Sequence, residues 1–123
     1  MLSDKYMLSL WRSAVLIVYC HRCAFCGKRG DDVLQAHHIV RRKHKITRYL
    51  PLNGLPLCHK CHSLAHTKAG EQKIMVILGK SYDKLVEMEQ ISYKQYLQDN
   101  GMTESEFMSR SAAELKSIIG GAG

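Results

Sequence analysis

The chain has 123 residues, 46% of them hydrophobic and 24% charged, the make-up of one ordinary globular domain. Its longest apolar run, Ala14 to Tyr19, falls far short of the roughly 20 residues a membrane-spanning helix needs. The start at Met1 to Lys5 lacks the basic, apolar and cleavage regions of a secretory signal, so a cytoplasmic protein is expected. The formal net charge of +7 is concentrated before residue 70, where only Asp4, Asp31 and Asp32 are acidic. Affinity for a polyanion belongs to that part of the chain.

Residues 4–19 predict a helix, with Tyr6, Leu10, Val15 and Val18 among its apolar positions, although Val15 to Tyr19 is rich in β-formers. Leu34 to Val40 reads as a short strand. Leu50 to Leu57 holds a turn at Asn53-Gly54, bracketed by Pro51 and Pro56, and then a second short strand. His59 to Lys68 predicts a helix ended by Gly70. Further helices are expected over 72–79, 81–98 and 103–118. Gly101 is a natural stop, and Thr103 with Glu106 fits a capping box. Leu85, Met88, Ile91, Tyr96, Phe107, Leu115 and Ile118 supply apolar faces, while Gly120 to Gly123 should fray. The organisation expected is a core over 1–70 and a helical extension over 71–123, packed on the core or docking beside it as one domain.

Cys23 and Cys26, then Cys58 and Cys61, form two pairs of C-x-x-C spacing. Two such pairs suit a tetrahedral Zn²⁺, each pair folding as a knuckle against one side of the ion. Gly27 permits the sharp turn the first knuckle requires. An odd total of five cysteines in a reducing compartment argues against a disulfide framework. Cys20 is left over as a buried or half-buried thiol, with His21 beside it as a substitute ligand. Zinc closed by four thiolates holds a scaffold and leaves no position open for catalysis.

Histidines crowd the middle of the chain: His37, His38, His44, His59, His62 and His66. His62 and His66 are four apart on a predicted helix and share a face. His37 and His38 are adjacent on a predicted strand and point to opposite faces. One can therefore bind metal while its neighbour acts as a base close by. His44 and His59, with no partner at ligand spacing, read as solvated.

Cys23-x-x-Cys26, Ala36 to Ile39, Asn53 to Cys58 and Cys58 to His62 together resemble the HNH nucleases, also called His-Me finger or ββα-metal nucleases. The resemblance spans residues 11–69, including the Trp11 that often begins the module. Many phage and mobile-element members carry the same cysteine pairs, and the double His with His-x-x-x-His is similar to the colicin DNases. The fold implied is α+β, a small ββα-metal core with a four-Cys zinc site and flanking helices. By the same resemblance, His38 corresponds to the general base and Asn53 to the residue that ties the loop orienting it. His37, His62 and His66 correspond to ligands of a catalytic divalent metal. His37 stands where many members have Asp, and an all-imidazole set suits Zn²⁺, Ni²⁺, Co²⁺ or Mn²⁺ better than Mg²⁺.

The activity implied is metal-dependent cleavage of DNA, by nicking or double-strand cutting, to 5′-phosphate and 3′-hydroxyl ends. Arg41, Arg42, Lys43, Lys45 and Arg48 follow the catalytic strand and can neutralise phosphates, with no evident base readout, so weak sequence specificity is expected. Double-stranded DNA is favoured over RNA as the partner. Two other readings compete. A non-catalytic zinc-finger module would bind nucleic acid without cutting it, and an adaptor in phage packaging or recombination would work through its C-terminal helices.

Overall fold

In the computed structural model, which describes residues 1–121, Ser3 caps the first helix. Its hydroxyl accepts the Tyr6 backbone N–H at 3.1 Å, and Asp4 places an acid in the first turn. Helix α1 runs Asp4–Val18, so the β-formers near its end stay helical. Its buried residues are Met7, Trp11, Ala14, Val15 and Leu16. Tyr6 and Val18, expected on the apolar stripe, are 40% and 53% exposed, because the packing face is set by what lies against the helix. Cys20 and His21 follow at φ 55° and 57°, a left-handed reversal that leaves Cys20 exposed rather than buried.

Strand β1 (Leu34–His38) pairs antiparallel with β2 (Gly54–Cys58), setting His37 opposite Leu55 and His38 opposite Gly54. Helix α2 (His59–Ala65) follows β2 directly, and the three elements make a ββα unit. The chain enters β2 through a 3₁₀ turn over Pro51–Asn53, not through an Asn53-Gly54 turn, for Gly54 is already extended at φ −148°. Glycine is needed at 54 for another reason. A Cβ there would lie 2.5 Å from Val15 Cγ2 and 2.7 Å from Trp11 Cζ2, so the strand could not approach α1 as closely.

Helix α2 ends at Ala65, short of the expected Lys68. Thr67 starts helix α3 (Lys68–Leu78), its hydroxyl accepting the Gly70 N–H at 3.1 Å. Gly70 is therefore no stop: it lies in the first turn of α3, where a Cβ would overlap the Leu64 carbonyl. The helix expected over 81–98 is two, α4 (Lys80–Glu89) and α5 (Tyr93–Asp99), with Ser92 capping the second. Gly101 at φ 59° ends this run. The capping box forms: Thr103 accepts the Glu106 N–H at 3.1 Å and Glu106 accepts the Thr103 N–H at 3.3 Å. Helix α6 (Glu104–Gly121) extends through two of the glycines expected to fray; Ala122 and Gly123 lie outside the described residues.

Two apolar clusters hold these elements. Met7, Trp11, Ala14 and Val15 of α1 pack on Phe107, Met108, Ala112 and Leu115 of α6. Leu16, Leu34, Leu55, Leu57, Ala65 and Ile74 pack with three of the cysteines around the sheet and α2. Full burial of a leucine such as Leu55 or Leu57 contributes roughly 1.5–3 kcal/mol. Helix α1 supplies both clusters and so sets the height at which the sheet meets the C-terminal helices.

Candidate functional site

The first cysteine knuckle is built by local backbone bonds. Cys23 N–H donates to the Lys28 carbonyl at 2.8 Å, Gly27 N–H to the Cys23 carbonyl at 2.9 Å, and Gly27 takes φ 78°. Ala24 N–H donates to the Pro56 carbonyl at 2.8 Å, bringing the knuckle against β2. There Cys58 ends the strand and Cys61 lies in the first turn of α2. The four sulfurs lie within 4.8 Å of one another, with Cys26 and Cys58 3.7 Å apart. A tetrahedral ion with metal–sulfur bonds of about 2.3 Å separates its sulfurs by about 3.8 Å, so the set fits such an ion as it stands.

The thiols also compete in a way a cation would resolve. Burial pushes Cys61 up, aided by the neighbouring sulfurs, while the Cys61 backbone N–H brings Cys58 down. Burial opposes ionisation of Cys23, yet backbone N–H groups of Cys26, Cys58 and Phe25 outweigh it. Four ionised thiols can coexist at this spacing only around a positive charge. Cys20 is not part of the group.

On the other side of α2, three imidazoles converge. Ring centres of His37 and His62 lie 5.2 Å apart, His37 and His66 5.4 Å, and His62 and His66 5.3 Å. One ring nitrogen from each falls within 4.8 Å of the others. Burial, then the neighbouring His62, His66 and His38, lowers His37 to about 4. His62 is lowered too, by burial and then by His66 and His59. Both are thus neutral near pH 7, the form that ligates metal. The trio makes a three-nitrogen cup with His66 exposed on its rim, a donor set that suits a borderline divalent ion and keeps coordination positions open.

His38 faces elsewhere, as strand alternation requires. Its ring stacks on Trp11 with centres 3.8 Å apart and planes 10° off parallel. Its Nε2 lies 3.0 Å from the Arg48 carbonyl. A carbonyl only accepts, so Nε2 carries the hydrogen and Nδ1 keeps its lone pair. Burial lowers the pKa of His38, partly offset by that carbonyl, which leaves the ring a neutral acceptor at pH 7. His38 nonetheless shares with His37 and His66 the wall of one cleft of about 400 Å³, together with Arg41, Glu71 and Tyr82.

Asn53 is fully buried and ties this loop together. Its Oδ1 accepts the Val40 N–H at 2.7 Å, and its Nδ2 donates to the carbonyls of Val40 and Thr47, both at 3.0 Å. The bonds fix the two ends of residues 40–47, and Arg48 comes next.

Residues 20–68 match the HNH endonuclease family. Over this stretch the chain is similar to the HNH endonucleases. The matched stretch holds both cysteine pairs, β1, β2, α2 and each of His37, His38, Asn53, His62 and His66. It is less than half of the chain, and α1 and α4–α6 lie outside it. No curated protein and no solved structure matches the chain.

Around the matched stretch the basic residues divide. Arg41, Arg42 and Lys43 are exposed. Lys45 is exposed too, and sits 4.0 Å from Glu104 and over the Tyr93 ring at 5.3 Å. The Arg48 guanidinium is turned inward, to Asp4 at 3.3 Å and the Arg42 carbonyl at 2.6 Å. His44, expected to be solvated, meets Glu89 at 3.4 Å, whereas His59 is exposed. Sequence reasoning missed Glu71 and Tyr82 in the cleft wall, and it missed the stacking of Trp11 on His38. Only the tryptophan left a signal, its position at the head of the module.

Proposed function

We propose that the HNH domain makes this chain a metal-dependent DNA endonuclease or nickase of weak sequence specificity. The observation that carries the reading is the cup of three imidazoles, two of which, His37 and His66, line the same cleft as His38. His37, His62 and His66 would hold the catalytic ion, with Zn²⁺, Ni²⁺, Co²⁺ or Mn²⁺ better suited to the nitrogen donors than Mg²⁺. Bound there, a divalent ion supplies positive charge against the oxygens of the scissile phosphate.

The protein's own groups do the rest. His38 takes a proton from the attacking water on its free ring nitrogen, and the Arg48 carbonyl holds the opposite ring N–H so that the ring presents that nitrogen. In-line attack by that water forms the new P–O bond and breaks the bond to the 3′-oxygen, which leaves as an alkoxide and takes a proton from solvent, giving 5′-phosphate and 3′-hydroxyl ends. Asn53 keeps the intervening loop in register. Arg41, Arg42 and Lys43 neutralise flanking phosphates, so affinity falls with salt. Cys23, Cys26, Cys58 and Cys61 would hold a zinc that is structural only.

The test is cleavage of supercoiled plasmid with Mg²⁺, Mn²⁺, Ni²⁺ or Zn²⁺ by the wild type and by His38→Ala. The variant should lose roughly 10²–10⁴-fold in rate while retaining both metals. Cutting by His38→Ala at the wild-type rate removes His38 from the mechanism. Binding of DNA with no cutting in any metal makes the domain a binding module instead.

A further inference from the structure

Helix α1 lies outside the matched HNH stretch, yet two of its side chains reach the segment that orients His38. Arg48, Tyr49 and Leu50 are each held. Arg48 presents its carbonyl to His38 at 3.0 Å, and its guanidinium meets Asp4 at 3.3 Å and the Arg42 carbonyl at 2.6 Å. The Tyr49 hydroxyl donates to Asp4. The Leu50 carbonyl accepts the Trp11 indole N–H at 2.9 Å, and that same indole covers one face of the His38 ring.

We propose that Asp4 is a positioning residue for His38, and that α1 completes the active site by clamping Arg48 to Leu50 in place. The proposal rests on His38 being the base. A first-turn acid has a simpler task, which is to offset the positive end of its helix. That task needs no contact with residues 44 and 45 positions away, and Asp4 makes two of them. Its side chain is about half exposed, so holding the core together does not account for them either. The two contacts fall on consecutive residues, one of which carries the carbonyl that sets the His38 ring. A carbonyl free to turn would leave that ring with two tautomers and two orientations, only one of which aims a lone pair at the cleft.

Asp4→Glu keeps the charge at the helix end but lengthens the side chain, and Asp4→Ala removes both contacts. Lys5→Ala, an exposed neighbour, is the control. In the zinc-loaded protein, NMR of the His38 ring should show a slowly exchanging N–H in the wild type and in Lys5→Ala. Asp4→Ala should exchange it at least tenfold faster, with Asp4→Glu between. In plasmid cleavage, Asp4→Ala should lower kcat about tenfold with KM within about twofold. Combined with His38→Ala, it should cost nothing further, since a residue acting through His38 has no effect without it.

Unchanged ring N–H exchange in Asp4→Ala overturns the proposal, as does an equal loss of rate with and without His38. Full activity of His38→Ala would remove the base itself, and in that case the exchange measurement still decides whether Asp4 holds the ring.

Discussion

Replacing Asn53 by alanine tests how much of the site depends on one buried amide. The side chain makes three hydrogen bonds, to Val40 N–H, Val40 carbonyl and Thr47 carbonyl, with no exposure to solvent. Each bond contributes about 1 kcal/mol net, and the stranded Val40 N–H adds a desolvation cost of about 1–2 kcal/mol. The expected loss is roughly 3–5 kcal/mol out of a total stability of order 10 kcal/mol. For a chain of this size it lowers the melting temperature by roughly 10–20 °C. Asn53→Asp is the sharper variant. One carboxylate oxygen still accepts the Val40 N–H, but the other faces two carbonyls, so the folded state favours the protonated acid and raises its pKa. The Asp variant should therefore gain stability relative to wild type as pH falls through that raised pKa, the opposite of a salt-bridged carboxylate. Calorimetry of the zinc-loaded protein at pH 7 and pH 5 measures both effects. An alanine variant melting within about 3 °C of wild type would refute the hydrogen-bond reasoning.

Gly70→Ala should cost about 1–3 kcal/mol by overpacking against Leu64. Because α2 must then shift, Co²⁺ titration should show weaker binding at the histidine cup with the cysteine site intact; unchanged affinity would mean that the two helices can separate without moving the ligands. Chelation, or Cys58→Ser, should release one zinc per chain and unfold the core, since a structural zinc contributes about 10 kcal/mol or more. A melting curve indifferent to chelator would exclude that role. His37 is depressed to about 4 from 6.5 by burial and neighbouring imidazoles. Between those pH values the unfolded chain binds the proton that the folded chain declines, so stability falls as pH drops from about 6.5 towards 4. His37→Gln should flatten part of that slope in thermal melts across the range, and an identical slope would contradict the assignment.

What could be read without coordinates is what depends on near neighbours in the chain. The C-x-x-C pairs, the four-residue spacing of His62 and His66, the opposed faces of His37 and His38, and the Thr103–Glu106 cap follow from the periods of turns, helices and strands. Each involves groups only a few positions apart, and each appears in the fold. The helix breaks at His66 and near Gln90 were not legible, because Thr67 and Ser92 become caps only when the backbone on either side is already directed elsewhere.

The remaining features were decided by tertiary packing. Which stripe of α1 is buried depends on α6 and on Gly54. A sequence shows the charge of Arg48 and Lys45 but not the Asp4 and Glu104 carboxylates beside them. The His38 environment joins Trp11, Arg48 and, through Tyr49, Asp4, groups separated by tens of residues. Residue type and spacing thus determined which candidate ligands and bases the chain carries, since those are local properties. Only the fold decided which ring nitrogen of His38 stays free and which cations stand beside carboxylates, since both depend on contacts that exist once distant segments have packed.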